Sequence, residues 1–150
     1  MFNSTAPFDL KLVIDQLKPL IPEHIKHIGS TAEYRSITNL SLAGLPTPAV
    51  YVVPNHEVGH QDGIATRQMM TVTFSVVVIV HSYQYSQDNP QLAVSNPVIG
   101  KIRETLMGWV PPIKGARETH FVRGDVLDYS NSYLAWMETY KTSMLIGKTR

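Results

Sequence analysis

The sequence predicts an α/β (α+β) domain, a mixed and mostly antiparallel β-sheet built on one long central strand with helices packed on it. Three observations carry that expectation. The stretch Thr66 to Tyr83, TRQMMTVTFSVVVIVHSY, alternates as an extended chain, with Val72, Phe74, Val76, Val78 and Val80 on one side and Thr71, Thr73, Ser75, Val77, Ile79 and His81 on the other. A shorter run of strand formers, AVYVVP, precedes it, and segments with helical spacing lie on either side. Finally, 150 residues with 43% hydrophobic side chains are enough for one domain that buries roughly 70% of its unfolded surface. Residues 1–150 are therefore read as a single domain.

The central strand has an uneven second face, which turns from hydroxyl-rich to apolar partway along. Its second half needs cover on both faces, from a helix or from another subunit. Its uninterrupted apolar run, Val76 to Val80, is far short of the roughly 20 residues that span a bilayer, so no membrane partner is expected.

The other elements follow in order. Leu10, Val13, Ile14 and Leu17 recur at helical spacing, Asp9 stands in the first turn, and Pro19 stops the run, which predicts a helix from Phe8 to Lys18. Leu20 to Ile28 is broken by Pro22, and Thr31 to Leu42 is weakly helical. Ala49 to Val53 reads as a strand ended by Pro54, with Asn55 to Ala65 as a polar loop leading into the central strand. Ser86 to Pro90 is a turn cluster. Asn96 is placed to cap a helix from Pro97 to Met107, with Val98, Ile99, Ile102 and Leu106 on its apolar side and Gly108 closing it. Thr119 to Val122 and Val126 to Tyr129 read as short strands around a Gly124-Asp125 turn. In Ser132 to Met144, Tyr133, Trp136, Met137 and Tyr140 fit a helix, while Leu134, Trp136 and Tyr140 share one strand parity broken by Glu138. Aromatic and threonine content favours the strand.

Composition removes several function classes. With 13 basic and 12 acidic side chains the net charge is +1, and no Lys/Arg run exceeds two, so the electrostatic footprint of a nucleic-acid binder is missing. Zero cysteines exclude a disulfide framework and thiolate zinc sites. The start, MFNSTAPFDLK, has neither a basic n-region nor an apolar h-region, so production in a cytoplasm is expected. No phosphate loop and no G-x-S-x-G elbow occurs, and no cofactor is implied.

One motif demands a test. His56-Glu57-Val58-Gly59-His60 satisfies H-E-x-x-H, in which two histidines one helical turn apart chelate zinc and the glutamate serves as base. Pro54 and the β-branched run before it block a helix there, Gly59 and Gly63 weaken what would remain, and Thr66 stands where the extended pattern wants a third histidine. A polar interface loop is the better reading, and no metal site is assigned. His24 and His27 read as surface histidines, and Arg103-Glu104 and Arg117-Glu118 as solvated charges.

Taken as an ordered set, these pieces resemble the tail terminator proteins of contractile-tailed bacteriophages. The matching parts are the N-terminal helix ending near Pro19, the strand Pro48 to Pro54, and Gln68 leading into Phe74-Ser75-Val76-Val77. They continue with Arg103-Glu104-Thr105-Leu106-Met107-Gly108-Trp109-Val110-Pro111, the Gly124 turn, and the segment around Trp136. The resemblance implies a structural virion protein without catalytic residues, assembled in the host cytoplasm. It implies a homohexameric ring that caps the tail tube, stops tube and sheath polymerisation, and joins the tail to the head connector. Tail tube protein, tail sheath protein and connector or neck proteins are the implied partners, with DNA only passing through the ring lumen. It also implies that Ser132 to Met144 is a strand. Val77, Ile79, His56, Glu57 and Arg67 are the expected interface residues, Val77 and Ile79 lying near a neighbouring subunit or a second helix layer. A different ring-forming tail component, tube or adaptor, is the alternative, and a zinc hydrolase acting through His56, Glu57 and His60 the more distant one.

Overall fold

The structure, a computed structural model, describes residues 5–35, 46–61, 63–81, 97–129 and 133–148. In chain order the elements are α1 (Lys11–Leu17) with a 3-10 turn (Lys18–Leu20), β1 (His27–Gly29), α2 (Thr31–Arg35) and β2 (Ala49–Gly59). They continue with β3 (Arg67–His81), α3 (Pro97–Leu106), β4 (His120–Tyr129) and β5 (Tyr133–Gly147). The five strands form one sheet in the order β1-β2-β3-β5-β4. Only β1 and β2 run parallel; every other pair is antiparallel. The predicted fold class is the observed one. None of the described helices is long and apolar enough to cross a membrane.

β3 is central because its alternation lets both faces be used. Val72, Phe74, Val76, Val78 and Val80 join Val50, Val52, Leu134 and Tyr140 in a core closed by Val13 and Leu17 of α1 and by Val98, Ile99, Ile102 and Leu106 of α3. Phe74 stacks between Phe8 and Tyr140, with ring centroids 6.1 and 5.8 Å away. α3 covers Pro97–Leu106, within one residue of the expected Pro97 to Met107, and Gly108, at φ +82, takes the left-handed position beyond it. On the opposite face Val77 and Ile79 pack with Ala49, Tyr51 and Ala135, and Tyr34 of α2 lies against Tyr51 at 5.7 Å.

Four boundaries differ from expectation, each for a physical reason. α1 starts at Lys11 instead of Phe8, because Phe8 is buried with its N–H donating to Glu57 Oε2 at 2.9 Å. β2 continues six residues beyond Val53. A bulge falls between Pro54 and His56, and β1 pairs with β2 only at Ala49 to Tyr51, so the N–H that Pro54 lacks has no strand partner to lose. Gly124 is no turn; it lies inside β4, where a Cβ would come within 2.4 Å of the Trp136 ring and 2.8 Å of the Glu138 carboxylate. The last segment is a strand of 15 residues. Glu138, which breaks the apolar parity of the segment, lies on the buried side with Leu134 and Tyr140. The Ser86 to Pro90 turn and the Asn96 cap fall outside the described residues, as do 36–42 of the weakly helical stretch.

Candidate assembly surfaces

The first surface is the outer end of the β2–β3 hairpin. β2 is buried from Ala49 to Val52 and exposed from Pro54 to Gly59. Of the polar loop expected from Asn55 to Ala65, the first part, Asn55 to Gly59, is therefore strand, and the chain turns back before Arg67, whose N–H donates to the Ile64 carbonyl at 3.0 Å. The extension is held from below: Phe8 rests on Phe74 and its N–H engages Glu57. An open cleft of about 290 Å³ separates it from the N-terminal segment, lined by residues including Pro7, Phe8, Leu10, His56 and Glu57. Val58 and Ile64 stand out here with 52% and 66% exposure. An apolar side chain inside an otherwise polar stretch was their only signal in the sequence.

Of the expected interface residues, His56 and Arg67 are exposed on this hairpin, while Glu57 is tied to Phe8. Val77 and Ile79 are placed differently. They are 1% and 3% exposed within the single subunit, so a neighbour has almost no area of theirs to cover. The second layer that the strand needed is the chain's own, Tyr34 of α2, with Tyr133 and Met137 of the neighbouring strand β5 packed beside it.

H-E-x-x-H lies on β2 and its end, with His56 opposite Thr73 and the His60 N–H donating to the Met69 carbonyl at 2.9 Å. Four extended residues at about 3.3 Å each separate the two histidines by roughly 13 Å, where one helical turn would give about 5–6 Å. They cannot chelate one ion together. His60 Nε2 instead shares a 2.6 Å hydrogen bond with Thr71 Oγ1, and no metal-binding cluster occurs among the described residues.

The second surface is the other flank of the sheet, the edge strand β4. Val122, Val126 and Leu127 are each more than two-fifths exposed. Two bulges interrupt its pairing with β5, and Arg123, Asp125 and Asp128 lie along it. Bulges and charges discourage an added strand, so β4 offers side chains instead of a free backbone ladder.

Beneath β4 lies an ionic cluster that sequence reasoning missed. The Glu138 side chain is 0% exposed. Arg103 Nε and Nη2 donate to its two oxygens at 2.7 Å each, Trp136 Nε1 donates at 2.8 Å and the Tyr140 hydroxyl at 3.0 Å. The guanidinium also covers the Phe121 ring at 4.5 Å. Arg103 is thus no solvated charge: its hydrogen bonds to Glu138 raise its pKa further, against the opposing effect of burial. This cluster fastens α3 to β5 and, through Gly124 and Phe121, fixes β4. All four donors are occupied by one carboxylate, so the arrangement holds structure and leaves no group free for proton transfer.

Comparison with known proteins gives two findings. A family model described as "Phage tail terminator protein" matches residues 3–150. Among solved structures, a chain from the "Virion of native gene transfer agent (GTA) particle" is similar in fold, with a TM-score of 0.52 and 13% identity over 87% of this chain and 90% of that one. The search of curated protein sequences gave no match.

Proposed function

Because the chain belongs to the phage tail terminator family, we propose that it forms a homohexameric ring that caps the tail tube, stops tube and sheath polymerisation, and joins the tail to the head connector. It is a structural component of the virion, positioned at the tail and neck, and performs no catalysis. The observation that carries this is the pair of unlike surfaces on opposite flanks of one sheet: the hairpin end with Val58, Ile64, His56 and Arg67, and the β4 edge with Val122, Val126 and Leu127. A subunit that meets its neighbour through two different patches makes a heterologous contact, and such contacts close into a ring when the rotation permits. The bulged, charged β4 edge favours side-chain packing at that contact over strand addition.

Mass measurement by size exclusion with light scattering tests it. The expected result is a hexamer, or a monomer that hexamerises as concentration rises, with Val58→Asp and Val126→Asp each shifting the protein toward monomer. A strict monomer that also ignores tail tube protein would contradict the proposal.

A further inference from the structure

The sheet's register gathers residues far apart in the sequence into rows across the face that α1 and α3 do not cover. His56 stands opposite Thr73, Thr73 opposite Lys141, and Lys141 opposite His120, so one row crosses β2, β3, β5 and β4. On one side lies the row Val58, Thr71 and Ser143, with His60 bonded to Thr71. On the other lies Val53, Ser75, Thr139 and Arg123, with Ser75 and Thr139 buried and Asn55 Nδ2 donating to Ser75 Oγ at 3.4 Å. His56, His120, Lys141 and Arg123 are exposed, and Thr71, Thr73 and Ser143 are half-exposed.

These three rows contain no carboxylate. Glu57 stands on the opposite face, opposite Val72 and bonded to the Phe8 N–H. Asp125, one row further along, is engaged by Arg123 Nε at 2.8 Å. With strands about 4.8 Å apart, the row from His56 to His120 spans roughly 14 Å. A DNA strand places one negative charge about every 3.4 Å of helix axis, so such a row faces more than one phosphate. Hydroxyl, imidazole, ammonium and guanidinium groups are those that contact phosphate oxygens. Of the aromatic and aliphatic anchors that hold protein partners, these rows carry only Val53 and Val58, at their two margins on β2.

We propose that the part of this face that no helix covers among the described residues binds the phosphate backbone of duplex DNA without reading its bases. The near-neutral whole chain conceals the site because its Lys141 and Arg123 lie on β5 and β4, and its His56 and His120 on β2 and β4. Its centre is Lys141, His120 and Arg123; His56 and Val58, at its β2 margin, belong also to the hairpin end proposed for the subunit contact.

The test uses the full chain, a short fluorescent duplex in two unrelated sequences, and anisotropy titrations, with light scattering in the same buffers. Wild type is expected to bind both sequences alike. If two phosphates are engaged, affinity falls about tenfold between roughly 50 and 200 mM salt. Lys141→Gln should lower the salt slope by about one, and Lys141→Glu should weaken binding by about tenfold or more. Absence of binding by folded wild type at low salt overturns the inference, as does equal binding by both variants. A variant that loses assembly but keeps DNA affinity also overturns it, assigning the face to a subunit contact. A ring that forms without binding DNA removes this inference and leaves the proposed function standing.

Discussion

The two ends of the sheet are made from the same three strands and differ in what covers them. At the Val77 and Ile79 end, both faces are covered, by α3 on one side and by Tyr34 of α2 on the other. At the hairpin end, Phe8 and α1 still cover the face carrying Val72 and Phe74, but over the other face, with Thr71, Thr73, Ser143 and Lys141, no layer lies among the described residues. One end therefore holds the fold, and the other is left available for contacts. Substitutions should separate accordingly, into large stability losses at the covered end and the ionic cluster, and functional losses with little change in stability at the open end.

The largest effect is expected where a charge is buried. Arg103→Ala would leave Glu138 enclosed without its cation and should cost about 3–5 kcal/mol in denaturant unfolding. Leu106→Ala, fully buried in α3, should cost about 2–5 kcal/mol. Gly124→Ala places a methyl group against Trp136 and Glu138 and should cost about 1–3 kcal/mol. A cost under 0.5 kcal/mol for any of the three would dissolve the distinction between the two ends.

Alkaline unfolding sharpens the same contrast. Burial, then the Glu138 charge and hydrogen bond, push the Tyr140 phenol well above its ordinary 10.0. Tyr51 is raised by burial and then Glu33, and Tyr133 by its hydrogen bond to Asp128, then burial. Below pH 10 each phenol is protonated in both states; above it the unfolded chain releases protons that the folded chain keeps. Stability contributed by these groups is thus present below pH 10 and falls as pH rises past it. Melting temperatures measured from pH 8 to 11 should drop steeply above 10 for wild type and less steeply for Tyr140→Phe. At the open end, His60→Ala removes only a half-exposed hydrogen bond and should cost about 0.5–1 kcal/mol.

The covered end was the legible one. The alternation of β3 and the spacing of α3 survive in the sequence because each buries a continuous apolar stripe. What was obscured depends on distant partners. Pro54 reads locally as a strand end, yet the bulge and the missing outer neighbour let β2 continue. Gly124 reads as a turn, yet its task is to admit Trp136 and Glu138. Arg103 reads as a solvated charge and Glu138 as a break in strand parity until the β3–β5 pairing and α3 bring them together across 35 positions. β1, with three residues, is too short to show a period. The surfaces were the least legible: Val77 and Ile79 drew attention as apolar residues on the second face of the strand, but α2 supplies their cover.

The central claim is that this chain ends tube growth, and the direct measurement adds it to polymerising tail tube protein and records tube length by electron microscopy. Substoichiometric protein should shorten the tubes and leave a ring at one end, whereas Val58→Asp, folded but unable to assemble, should leave length unchanged. Tubes of unaltered length with wild-type protein would contradict the claim.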